Sequence, residues 1–180
     1  MIVTSAPDRS PWASLRCGWA ALPVALLLFA APALGQLEAE EQGRLIGATA
    51  TVTEVSTGLP FDARVDTGAT SCSIHCEKMK IEDPSDDPRE NVGKPVRFLV
   101  KNSAGETEWI EAKIVDHVIV RTSEKSDDRY RVRLKLRYED VEKKVLVTLN
   151  DRQKMNYPLL LGRNFLSGDF LVDVAQDHND

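Results

Sequence analysis

The sequence predicts a mostly β fold, a closed barrel or sandwich of short antiparallel strands with one short helix near the C-terminus. Three observations predict it. Apolar and polar residues alternate with a period of two along most of the chain, clusters of Gly, Pro, Asn, Asp and Ser interrupt that alternation at short intervals, and no helical pattern runs beyond about three turns.

The first 35 residues stand apart from this pattern. Arg9 and Arg16 give a positive start, and "GWAALPVALLLFAAPALG" supplies an apolar run too short and too closely followed by polar sequence for a membrane span. Ala33 and Gly35 then fit a small-residue cleavage site. An export signal over residues 1–35 is therefore expected, with maturation near Gln36 and a periplasmic or secreted product; the alternative is a retained N-terminal anchor. Cys17 precedes the apolar run instead of ending it, which argues against a lipoprotein-type anchor. Residues 36–180 suffice for one domain with a core and are too few for two full lobes. The whole chain carries a net charge of −5; without Asp8, Arg9 and Arg16 it has 21 basic and 27 acidic residues, a net −6. That balance favours no nucleic-acid partner.

After an N-terminal segment, residues 36–46, the domain is expected over 47–175, with an acidic tail at 176–180. "RLIGATATVTEV" has strand-type residues and stops at the turn cluster Ser56 to Pro60; "FDARV" is the next strand and "SCSIHC" resumes after a loop. "EDPSDDPREN" is an acidic, Pro-containing surface loop. "PVRFLVK" places Val96, Phe98 and Val100 on one face, and "NSAG" turns it into "ETEWIEAKIV". From Tyr130 to Tyr138 the alternation is clearest, with Arg129, Arg131, Arg133, Lys135 and Arg137 on the opposite face. This basic stripe reads as the solvated side of a half-buried strand in preference to a polymer-binding track. "KKVLVTL" follows a Glu139-Asp140 turn, "PLLLG" is a core-filling run, "RNFLSG" makes one helical turn stopped by Gly168, and "FLVDV" is a last strand.

Cys72 and Cys76 are the cysteines beyond the leader. In a straight strand, residues four apart lie about 13 Å apart, too far for a disulfide without a bend. A bridge across a bend and two small buried thiols both fit the sequence, the thiols at least as well. "CSIHC" with His75 offers at most three zinc ligands, and no second pair follows at finger spacing, so no metal and no other cofactor is expected. His117 and His178 are isolated and are expected at the surface.

The chemistry concentrates in "ARVDTGATS", Ala63 to Ser71. A lone Asp-Thr-Gly is weak, because all three residues form turns. Its context is stronger: the triplet Asp66, Thr67, Gly68 follows a strand ending at Val65 and is matched later by Leu160-Leu161-Gly162. Gly68 permits a tight turn, Thr67 can hydrogen-bond across to a symmetry mate, and the Asp66 carboxylate is left pointing into a cleft.

"VDTGAT" together with "PLLLGRNFL" resembles the active-site loop and the Gly-Arg-Asn turn of retropepsins, the single-lobed aspartic proteases of retroviruses. The ordered set "DTGATS", "VTLNDRQKMNYPLLLGRNFL" and "FLVDV" is similar to the bacterial retropepsin-like family historically labelled ATP-dependent zinc proteases, over about Gly47 to Val174. The resemblance implies a single-lobe, retropepsin-like closed β barrel and an aspartic endopeptidase. It makes Asp66 the catalytic aspartate and Thr67, Gly68 and Ala69 its loop. Leu160, Leu161 and Gly162 pack behind that loop, and Arg163 and Asn164 open the helix.

Two carboxylates sharing one proton would activate a water and protonate the substrate carbonyl, and activity is expected at acidic to mildly acidic pH. One Asp per chain then implies a homodimer acting on a peptide or protein. Two departures stand out. Retroviral enzymes carry an acidic residue where this chain has Thr70, so Arg163 needs another partner, with Asp151 and Asp173 as candidates. The best flap tip, Asn102 to Gly105, has a single Gly. No His-Glu-x-x-His and no phosphate-binding Gly-rich loop accompanies the old zinc and ATP label. The competing class is a non-catalytic module that keeps the fold and holds an extended peptide.

Overall fold

The computed structural model describes residues 43–121 and 126–176; the leader, the end of the acidic tail and His178 lie outside them. Among the described residues, ten strands and one short helix follow in the order β1 (Arg44–Ile46), β2 (Thr49–Glu54), β3 (Pro60–Val65), β4 (Cys72–Ile81), β5 (Pro95–Lys101), β6 (Thr107–Arg121), β7 (Ser126–Tyr138), β8 (Val141–Asn150), β9 (Leu159–Leu161), α1 (Arg163–Leu166) and β10 (Phe170–Val172). The fold is mostly β, as the alternation predicts. A 3-10 turn at Pro88–Asn91 interrupts the acidic surface loop.

Eight strands lie side by side as β2-β3-β9-β4-β5-β6-β7-β8, and further pairings of β2 with β7 and β4 with β8 close the sheet on itself. The alternation explains the closure, because every second residue must point into a shared interior. Val132, Leu134, Leu136 and Tyr138 of β7 are buried, and so are Val96, Phe98 and Val100 of β5. The opposite face of β7 is basic and solvated: Arg129 pairs with Asp127, Arg131 with Asp116 and Lys135 with Glu142. The sequence run "RLIGATATVTEV" divides at Gly47 and Ala48, and β1 pairs in parallel with β10, Leu45 opposite Leu171. Phe170 of β10 in turn stacks on Phe165 of α1, with ring centroids 5.5 Å apart.

The turn between β2 and β3 is built around a buried carboxylate. Glu54, 1% exposed, accepts from the backbone N–H groups of Ser56 and Thr57 at 3.2 and 3.0 Å and from their hydroxyls at 2.7 and 2.9 Å. A buried carboxylate is tolerable only when its lone pairs are met in this way. That anchor fixes the start of β3, and β3 in turn delivers Asp66 at its far end.

β9 is the element that positions the site. It runs parallel to β3, with Val65 opposite Leu161, and antiparallel to β4, with Ser73 opposite Leu160. A three-residue strand wedged between these two neighbours brings Gly162 directly behind the loop that joins them. Leu159 and Leu161 are fully buried, so the apolar run of "PLLLG" serves as core and as ruler at once.

Candidate active site

Asp66 follows the last residue of β3, and its backbone N–H donates to Leu161 O at 2.9 Å, which ties the start of the loop to β9. Its carboxylate oxygen Oδ1 accepts from the N–H groups of Gly68 and Ala69 at 2.9 and 3.1 Å. These two bonds curl the loop around the carboxylate and fix its orientation, leaving it half-buried with Thr67 and Gly68 exposed at the tip. Acceptance from two amides holds Oδ1 in one orientation within the loop.

The loop hangs on the start of α1. The first N–H groups of a helix have no partner within it; here that of Arg163 donates to Ala69 O at 2.8 Å and that of Asn164 to Thr70 O at 3.2 Å. The Arg163 side chain completes the clamp, with Nη1 donating to Thr67 O at 3.1 Å and Gly68 O at 2.9 Å, and Nη2 to Thr70 Oγ1 at 3.2 Å. Arg163 thus takes neither Asp151 nor Asp173, the partners that the sequence suggested. Three oxygens of the loop occupy its fork.

Asn164 reaches the other way. Its Oδ1 accepts from the N–H and the thiol of Cys72 at 3.0 and 3.2 Å, and its Nδ2 donates to Leu146 O at 2.8 Å, joining β4 to β8. Gly162 is required by space alone: a Cβ there would lie 2.6 Å from Ser71 C and O and 2.9 Å from Ser71 N. Leu161 is buried and Leu160 half-buried behind the loop. The structure therefore brings together Asp66, Thr67, Gly68, Ala69, Leu160, Leu161, Gly162, Arg163 and Asn164.

Both thiols are free, Cys72 buried and Cys76 half-buried. Burial pushes each up to about 11, so they pack and are poor nucleophiles. The residues of "CSIHC" face different partners: Cys72 meets Asn164, Cys76 donates to Lys78 O at 3.4 Å, and His75 Nδ1 accepts from the Arg152 N–H at 3.0 Å.

Two expectations need correction. The Asn102–Gly105 turn is not poised over Asp66. The Asn102 amide Nδ2 donates to Pro60 O at 3.1 Å, which pins the turn at the opposite end of β3, about 20 Å from Asp66 along an extended strand. His117 is not a free surface residue either, since its side chain is 7% exposed and its Nε2 lies 2.7 Å from Asp128 Oδ1.

Arg152 was missed as a site residue. It is 7% exposed, its Nε donates to Tyr157 O at 3.1 Å, and among the described residues no carboxylate lies within ion-pair distance. Burial lowers its pKa most, the charge of Arg129 at the start of β7 adds to that, and Asp66 acts in the opposite direction. The Asp66 charge is therefore felt at this buried guanidinium.

This arrangement, one carboxylate on an amide-lined loop braced by a Gly-Arg-Asn turn, has counterparts among known proteins. The model of the RimB-like family, described as retropepsin-like aspartic endopeptidase RimB, matches residues 46–179. The chain belongs to this family. Two curated relatives described as "Probable alpha-L-glutamate ligase", from Shewanella pealeana and Shewanella halifaxensis, are 32% and 30% identical over 125 residues. The match covers 66% of this chain and 26% of each relative, so the chain spans about a quarter of their length. A solved Legionella pneumophila protein of unknown function superposes with a TM-score of 0.61 at 26% identity, over 76% of this chain and 97% of that one. For a RimB-like chain, Asp66 is the residue on which the retropepsin comparison turns.

Proposed function

We propose that this RimB-like protein is an exported aspartic endopeptidase that works as a homodimer, one Asp66 from each subunit meeting across a two-fold axis. The observation that carries the proposal is the amide-held, half-buried Asp66 on a loop braced by Arg163 and Gly162. One chain supplies one such carboxylate, whereas the chemistry needs two. In the dimer a water between the carboxylates loses its proton to the ionised one as its oxygen attacks the peptide carbonyl carbon. The protonated one gives its proton to the carbonyl oxygen, and the leaving amine takes a proton as the C–N bond breaks. Thr67, exposed at the tip, can hydrogen-bond to the partner loop and hold the pair in register.

We further assign the substrate to acidic peptides. Arg152 supports this, as a buried cation without a carboxylate partner that feels the Asp66 charge, and so does the description of the Shewanella relatives as glutamate ligases. A substrate carboxylate would satisfy Arg152 in a way that water at this depth does poorly.

The test combines hydrolysis and sedimentation of the full chain with a fluorogenic peptide carrying glutamates about its scissile bond. Asp66→Asn should abolish cleavage while leaving circular dichroism and sedimentation unchanged. Cleavage by the Asn variant at the parent rate, or activity in a species that sediments as a monomer, overturns the proposal.

A further inference from the structure

The outer face of β4, β5 and β6 is positively charged and, unlike the basic face of β7, is built around an aromatic ring. The chain has a net −5, yet Lys78 and Lys80 of β4, Arg97 and Lys101 of β5 and Lys113 of β6 all project to the solvent side of this sheet, opposite the buried Val96, Phe98, Val100 and Ile110. Their register makes them neighbours: Lys80 stands opposite Arg97, and Lys78 opposite Leu99. Trp109 of β6, opposite Leu99, lies at the centre with Lys80 Nζ 5.4 Å and Arg97 Cζ 5.6 Å from its ring centroid. Glu111 pairs with Arg97 at 3.0 Å and Glu77 with Lys101 at 3.3 Å, and the other three cations have no such partner among the described residues.

One edge of the face opens onto a cavity. Lys101 lines this cavity, of about 240 Å³, whose wall includes the buried His75 and Arg152. Arg152 and Lys101 therefore put positive charge on this cavity next to the Trp109 face.

We propose that this face is an exosite for the distal part of an acidic polypeptide substrate, holding it extended while another segment enters the cleft. The proposal rests on the acidic-peptide reading above and adds a second binding surface to it. Spacing supports an extended peptide. Alternate residues of a strand repeat every 6.5–7 Å or so, which matches the separation of Lys78 from Lys80 on their own strand. The half-buried Trp109 gives the peptide's methylene stems an apolar floor, and the cations stacked on it are held in place. The five cations lie on three adjacent strands about one Trp109 ring, a footprint that a short extended peptide fills.

The test is fluorescence anisotropy with labelled deca-glutamate and the full chain carrying Asp66→Asn, so that binding is read without cleavage. Adding Lys80→Glu and Arg97→Glu should weaken binding at least about tenfold and flatten its salt dependence. Lys78→Ala with Lys113→Ala gives a milder loss in a variant under less folding risk, and circular dichroism checks both. Unchanged affinity in both double variants overturns the exosite. So does displacement of the peptide by equimolar single-stranded oligonucleotide or phosphatidylglycerol vesicles, because the face then belongs to another polyanion. The two proposals fail separately. Face-dependent binding by a chain that cleaves nothing removes the peptidase and keeps the exosite, whereas cleavage of glutamate peptides with the same KM after charge reversal removes the exosite and keeps the peptidase.

Discussion

Gly162→Ala tests how the site is held. The glycine sits at φ −92° and ψ 177°, extended backbone that any residue adopts, so alanine meets no conformational penalty there. Space decides the outcome. The new Cβ would stand 2.6 Å from Ser71 C and O, where ordinary contact begins at 3.4 Å, so β9 and the loop must separate by about 0.8 Å. All the crowding atoms are backbone, and no side chain can swing aside. Overpacking of this kind costs about 1–3 kcal/mol, a fall in Tm of roughly 3–12 °C for a domain of this size. The function should suffer more than the fold. Ser71 is joined through Thr70 and Ala69 to Asp66, and displacing a reacting group by most of an ångström can cost up to ~10² in kcat/KM. Thermal unfolding and hydrolysis of the fluorogenic peptide measure the two effects. Gly168→Ala is the control, because Gly168 has φ +91° with nothing within 4 Å of a Cβ; it should lose about 1 kcal/mol from backbone strain and keep its activity per folded molecule. If Gly162→Ala melts at the parent's temperature and cleaves at the parent's rate, the loop is not braced by close packing.

Three further outcomes follow from the same geometry. Asn164→Asp keeps the acceptor for Cys72 but loses the Nδ2 donor to Leu146 O, and an oxygen facing that carbonyl should lower the urea unfolding free energy by about 2–3 kcal/mol. Arg163→Met preserves much of the stem but removes the donors to Thr67 O, Gly68 O and Thr70 Oγ1; cleavage should fall at least ~10-fold with about 1–2 kcal/mol lost in stability, and equal activity in Met and parent would refute the clamp. For Cys72 and Cys76, burial raises both thiols from 9.0 to about 11, so native thiolate at pH 8 is about 100-fold scarcer than in the unfolded chain and labelling by a disulfide reagent slows at least in proportion. The sign for stability follows: a raised folded pKa favours the fold at and below pH 9, and that contribution is lost as the pH climbs from about 9 through about 11.

The sheet was legible because its determinants are local. Alternation in "YRVRLKLRY" marks one buried face, and the Glu139-Asp140 turn marks the reversal, whatever the rest of the chain does. Closure was less legible. β9 sits between β3 and β4, and β7 returns to β2, Glu54 opposite Leu136; these contacts join residues far apart in sequence and depend on how the whole sheet curls. The division of "RLIGATATVTEV" has the same origin, since Arg44–Ile46 is claimed by β10 while Thr49–Glu54 is claimed by β3. The turn at Asn102 misled for a related reason. Its residues correctly specify a hairpin, but a hairpin signal says nothing about which end of the sheet the tip occupies. Only the bond from the Asn102 amide to Pro60 O fixes that.

The site divides along a similar line. Side-chain identities carried Asp66, Gly162 and Asn164, whereas the partner of Arg163 could not be read, because sequence patterns record side chains and Arg163 is met mostly by backbone carbonyls. A guanidinium in a retroviral-type turn suggests a carboxylate; Thr70 in place of an acid removes it, and the Thr67 and Gly68 carbonyls with the Thr70 hydroxyl supply the acceptors instead. That exchange has an electrostatic consequence. Carbonyls satisfy the hydrogen bonds of a cation without cancelling its charge, so the charge of Arg163, at the start of α1, is set against the loop that carries Asp66. Arg152 likewise has no carboxylate within ion-pair distance among the described residues. Two cations whose charge reaches Asp66 give a chain of net −5 a local positive field there, a pattern that draws in anions against the field of the rest of the molecule.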